Sequence, residues 1–86
     1  SLLWFGHGTA LGKSGAYKEA ISSFGRAIEI QPDFHEAWNN WGNVLNGLEH
    51  YEEAISKYEK AIELQPGFPT AWYNRGSALG NLGRYE

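Results

Sequence analysis

Laid against itself at an offset of 34 residues, the sequence matches through three successive copies. Trp4 falls on Trp38 and Trp72, Gly8 on Gly42 and Gly76, Leu11 on Leu45 and Leu79, and Tyr17 on Tyr51 and Tyr85. The later part of the unit repeats too: Ala20-Ile21-Ser22 on Ala54-Ile55-Ser56, Ala27-Ile28-Glu29 on Ala61-Ile62-Glu63, and Gln31-Pro32 on Gln65-Pro66. A period of this length constrains the fold strongly. Each unit is one supersecondary element that cannot bury its apolar side alone and must stack on its neighbours. The units run 1–34, 35–68 and 69–86, the third stopping after a first helix, and one domain holds all three.

Each unit reads as two helices. In the middle unit the first helix is predicted at about 36–48 and the second at about 51–64, where Gln65-Pro66 closes it because the residue before a proline is pushed out of the helical region. Gly15 and Gly83 read as C-terminal stops of the neighbouring first helices. Asp33 with Glu36 three residues later reads as a capping box, and Pro69 suits a first helical turn, where its missing N–H costs nothing. Gly8, Gly42 and Gly76 fall inside helices, where glycine costs about 1 kcal/mol relative to alanine. That cost is understandable if a side chain there would block the approach of a second helix. Ala20, Ala27, Ala54 and Ala61 leave matching room for Trp4, Trp38, Phe24 and Tyr58.

The series Trp38, Gly42, Leu45, Tyr51, Ala54, Tyr58, Ala61 and Pro66, echoed by Trp4, Gly8, Leu11, Tyr17, Ala20, Phe24, Ala27 and Pro32, resembles the tetratricopeptide repeat along the whole chain. The family's usual apolar residue before the glycine is replaced by His7, Trp41 and Arg75. The resemblance implies an all-α fold, an α-solenoid of antiparallel helix pairs in a right-handed superhelix. Its function would be to bind protein, with a concave groove lined by the first helix of each repeat.

The two helices of the middle unit differ in their polar faces. The second carries Glu52, Glu53, Lys57, Glu59, Lys60 and Glu63, a mixture suited to solvation and helix formation. On the first, Trp38, Trp41, Gly42, Leu45 and Leu48 share one side, and Glu36, Asn39, Asn40, Asn43, Asn46 and Gly47 are placed opposite. Asparagine costs up to ~0.7 kcal/mol in a helix interior, so stability does not explain this face. Asn40 and Asn74 occupy equivalent places in consecutive repeats, and a carboxamide can both donate to and accept from an extended backbone. This resembles the asparagine ladders of peptide-gripping superhelices. The candidate groove residues are Phe5, Thr9, Asn39, Asn40, Asn43, Tyr73, Asn74 and Ser77. The clamp with which some family members hold acidic chaperone tails needs Lys and Arg, yet its places here carry Phe5, Thr9, Asn40, Thr70 and Asn74. Only Asn40 fits, so that ligand class is not implied.

Other chemistries find little support. Gly12-Lys13-Ser14 ends like a phosphate-binding loop, but His7 stands where its first glycine belongs and the stretch is helical. The histidines, His7, His35 and His50, show no metal-ligand spacing, and the chain has no Cys for a thiolate site or nucleophile. No enzyme activity, metal or cofactor is expected. The seven basic residues are scattered and net charge is −3, which gives no footprint for nucleic acid or an anionic membrane. No apolar run approaches the ~20 residues of a spanning helix, so a soluble protein, cytoplasmic by default, is expected. The sequence contains no Met, which fits a piece of a longer chain. With two and a half repeats, and with Leu2, Leu3 and Phe5 at one end and Trp72, Leu79 and Leu82 at the other, self-association through the repeat ends is the alternative role.

Overall fold

The computed structural model describes residues 2–85. Ser1 and Glu86, the outer bounds of the first and third units, lie outside the described residues. Five helices follow in order: α1 Leu2–Lys13, α2 Tyr17–Ile30, α3 His35–Gly47, α4 Tyr51–Leu64 and α5 Pro69–Tyr85. Among the described residues there is no strand. Short connections fold α1 against α2 and α3 against α4 as hairpins, and α2 packs on α3 and α4 on α5 to stack one pair on the next. The result is a slab of 36 × 28 × 16 Å, thin enough to be only two helices deep.

The helix ends follow local chemistry. After α1 the chain reverses through Gly15 at φ 88°, and the Ala16 N–H reaches back to the Leu11 carbonyl at 2.9 Å. That is the long hydrogen bond of a Schellman motif. The same bond closes α3, from His50 N–H to the Leu45 carbonyl at 2.9 Å, but the left-handed residue is Glu49 at φ 65°. The third copy departs from the sequence expectation. Gly83 does not stop α5, which continues to Tyr85. The predicted capping box is also absent. Phe34 is the N-cap of α3, and its carbonyl accepts from the N–H groups of Ala37 and Trp38, with no side-chain cap. Burial explains the difference: Phe34 is 7% exposed and packs on Phe5 with ring centroids 4.8 Å apart, so its anchoring fixes how the chain enters the helix and leaves Asp33 outside.

Packing follows the repeat. Ala20, Phe24, Ala27, Phe34, Ala37 and Val44 form one buried cluster, and Leu45, Ala54, Tyr58 and Ala78 a second. Phe24 and Tyr58 are fully buried, each contributing about 1.5–3 kcal/mol of apolar burial. A methyl group built on Gly8 would stand 2.9 Å from the Phe24 ring, and one on Gly42 only 2.5 Å from the Tyr58 ring. The mid-helix glycines thus seat the aromatic of the second helix, as the sequence suggests. Gly76 meets nothing within 4 Å, and among the described residues no helix covers that side of α5. Two tryptophans stitch repeat to repeat. The Trp38 indole N–H donates to the Pro32 carbonyl and the Trp72 indole N–H to the Pro66 carbonyl, both at 2.9 Å. Across the second of these junctions, Arg75 on α5 pairs with Glu59 on α4 at 2.9 Å.

Candidate functional site

The first helices α1, α3 and α5 lie side by side, with α1 touching α3 and α3 touching α5. Along this layer a chain of hydrogen bonds crosses all three. The Asn74 amide donates to Asn39 Oδ1 at 3.1 Å, and Asn39 Nδ2 donates to Asn40 Oδ1 at 3.3 Å. Asn40 Nδ2 then donates to Thr9 Oγ1 at 3.2 Å, and the Thr9 hydroxyl donates to the Phe5 carbonyl at 2.9 Å. Beside the chain, the Tyr58 hydroxyl donates to Asn43 Oδ1 at 2.7 Å. Burial pushes the Tyr58 phenol well above its ordinary pKa, so it stays protonated and its proton requires an acceptor. The Asn43 carbonyl supplies that acceptor and its NH2 points elsewhere.

The sequence candidates fall into three groups. Asn43 and Ser77 are exposed, and Thr9, Asn40 and Asn74 are half-buried. Phe5 and Asn39 are turned inward. Phe5 packs on Phe34 and Phe24, and Asn39 is 3% exposed. The helical wheel placed Asn39 on the open face, and the structure corrects this. Its place in the repeat, shared by Phe5 and Tyr73, faces the following repeat. Tyr73 is 77% exposed, with no further repeat packed on α5 among the described residues. Asn46, also placed on the open face, carries a buried Oδ1 with no hydrogen-bond partner among the described residues.

A pocket of about 420 Å³ opens between α1 and α3. Phe24 and Val44, both nearly fully buried, give it an apolar base, and Gly8 and Gly12 line its α1 side. Thr9, Asn40 and Asn43 bring polar atoms to it, and half-buried Tyr17 and exposed Lys13 complete the lining. Gly12, Lys13, Tyr17 and Val44 were not singled out in the sequence as groove residues. Their meeting depends on how α1 and α3 are spaced, and neither helix reports that alone. Among the described residues no group of three or more metal-type side chains comes together, and no helix is long and apolar enough to cross a membrane.

On the outer side, Trp38 and Trp41 stack with centroids 5.7 Å apart, and the Lys57 ammonium lies 4.3 Å from the Trp41 ring. Such contacts cover aromatic surface with the cation and its stem. They account for an indole at the place where the family has a simple apolar residue.

Comparison with known proteins agrees with this geometry. A family model described as TPR repeat matches residues 8–48 and 42–83, most of the chain. No curated protein matches significantly. Among solved structures, the first TPR of Spaghetti (RPAP3), bound to the HSP90 peptide SRMEEVD, superposes with a TM-score of 0.92 at 24% identity, over 96% of this chain and 66% of that one. The second TPR of Spaghetti, bound to the same peptide, gives 0.92 at 26% identity, over 96% of this chain and 77% of that one. The MamA protein gives 0.90 at 29% identity, over 93% of this chain and 44% of that one, so the present chain spans less than half of it. Its fold is the helical repeat of these structures, and the chain belongs to the tetratricopeptide repeat family.

Proposed function

We propose that the chain is a protein-interaction module that holds an extended peptide along the layer formed by α1, α3 and α5. The observation that carries this reading is the row of Thr9, Asn40, Asn43, Asn74 and Ser77, polar side chains that helix stability does not favour, along three adjacent first helices. The fold serves in general for protein interaction and not for catalysis, and the second TPR of Spaghetti, 26% identical, was solved with a peptide bound. Here the amides of Asn40 and Asn74 already share hydrogen bonds with Thr9 and Asn39, so each offers a ligand its remaining N–H and a carbonyl lone pair. That fits a groove that reads backbone.

The test is a titration of peptides selected from a random library against wild type and the double variant Asn40→Ala, Asn74→Ala. Two lost contacts at ~1 kcal/mol each weaken binding by roughly tenfold to thirtyfold. The variant also removes the donor to buried Asn39, at a cost of about 1–3 kcal/mol in stability. Titration is therefore done where circular dichroism reports full helicity. Unchanged affinity in the folded variant rejects the groove.

A second reading rests on a different surface. Trp72 is 51% and Leu79 41% exposed on the side of α5 that corresponds to the covered side of α3, while Leu2 and Leu3 stand clear at the other end. Copies that pair through these ends would form a scaffold, and this role is compatible with the first.

A further inference from the structure

We propose that the pocket between α1 and α3 is an oxyanion subsite that takes one carboxylate side chain, Glu or Asp, of the bound polypeptide. The proposal rests on the groove reading and adds to it a specificity. It follows from which polar atoms are already engaged. Asn43 Oδ1 is held by the Tyr58 hydroxyl, which leaves both N–H groups of that amide without an acceptor among the described residues. Asn40 Oδ1 is held by Asn39 while its Nδ2 keeps one N–H beyond the bond to Thr9. The internal network thus draws on one lone pair of each carbonyl oxygen and leaves three N–H donors at the pocket.

Lys13 adds a positive charge. It forms no ion pair among the described residues, and neither Asp nor Glu lines the pocket to neutralise it. A site with an ammonium and two amide donors favours an anion. One cation suits a monoanionic carboxylate, whereas a phosphate dianion is usually met by clustered Arg. The apolar base of Phe24 and Val44 suits the methylene stem of the side chain. This site differs from the family's clamp for chain ends. Of the clamp places, Thr9 and Asn40 line the pocket, but Lys13 and Asn43, which supply the charge and the free amide, are not among them.

The test uses uncharged octapeptides with amidated C-termini that carry a central Glu or, in a matched set, Gln. A third set carries Gln and a free C-terminal carboxylate. Affinity is read by fluorescence anisotropy, and the side-chain NH2 signals of Asn40 and Asn43 are followed by NMR. The Glu peptides bind about tenfold tighter than the Gln peptides, the margin between charge-assisted and neutral hydrogen bonds, and the preference shrinks with added salt. Lys13→Gln and Asn43→Asp each abolish the preference. Asn43→Asp keeps an acceptor for Tyr58, so the fold survives while the donor becomes an anion.

Equal affinity for Glu and Gln overturns the proposal and leaves the groove reading standing. A preference that survives both substitutions overturns its assignment to this pocket. Tighter binding confined to free C-termini assigns the anion to a chain end and overturns the side-chain source. If none of the peptides binds, the groove reading fails and the proposal fails with it.

Discussion

One substitution, made at two places that are equivalent in the repeat, has opposite consequences. Replacing a mid-helix glycine by alanine stabilises an exposed helix by about 1 kcal/mol. At Gly76 nothing lies within 4 Å of the added methyl group, so Gly76→Ala raises stability by up to that amount. At Gly42 the same methyl would sit 2.5 Å from Tyr58 Cε1 and 2.7 Å from Cδ1, where carbon contacts ordinarily lie about 3.5–4.0 Å apart. The ring must therefore retreat by roughly 1 Å. It is fully buried in the cluster with Leu45, Ala54 and Ala78, and its hydroxyl is fixed to Asn43, so retreat strains both the packing and that bond. Overpacking costs about 1–3 kcal/mol and the weakened hydrogen bond about 1 more. Set against the propensity gain, Gly42→Ala loses about 1–3 kcal/mol. Thermal melts by circular dichroism read the difference directly, at roughly 4–8 °C for each kcal/mol in a domain of this size. A Gly42→Ala midpoint equal to or above wild type would refute the close-approach account of these glycines.

Two further outcomes concern the connections and the ends. Glu49→Gly is expected to raise stability by about 0.5–1 kcal/mol, visible as a higher urea midpoint, because Glu49 is exposed and held at φ 65° where a side chain is strained. Light scattering over a concentration series is expected to show association of wild type that Leu79→Lys reduces, since Leu79 lies on the uncovered side of α5. A monomeric wild type at high concentration rejects that role for the ends.

The fold was legible because the 34-residue period reports packing directly. Trp, Gly, Ala and aromatic recur where the second helix locks into the first, and Pro32 and Pro66 mark where it stops. The bounds of α4 and the turn at Gly15 follow from those local signals. The capping box at Asp33 and Glu36 misled because a buried neighbour, Phe34, fixed the helix start instead. Gly83 misled because a glycine permits a left-handed turn without requiring one.

The site was less legible for a geometric reason. A helical wheel separates one side of α3 from the other but not the flank that the next repeat covers, so Asn39 read like Asn40 and Asn43. The clue was Phe5, an apolar residue at the place equivalent to Asn39. The chain of amides from Asn74 to Thr9 and the bond from Tyr58 to Asn43 join residues 15 to 35 positions apart, apart from the Asn39–Asn40 step, and depend on the spacing between helices. No periodicity reveals that.

The claim that the layer of first helices is the binding surface is tested most directly by mapping. A library-selected peptide is titrated into isotope-labelled protein, and the shifts of backbone and side-chain amide signals are assigned. The largest shifts are expected on Thr9, Asn40, Asn43, Asn74 and Ser77, with the side-chain NH2 groups of the three asparagines among them. Shifts confined to the exposed face of α4, at Glu52, Glu53, Glu59 and Glu63, or to Trp72 and Leu79 on the uncovered side of α5, would contradict it.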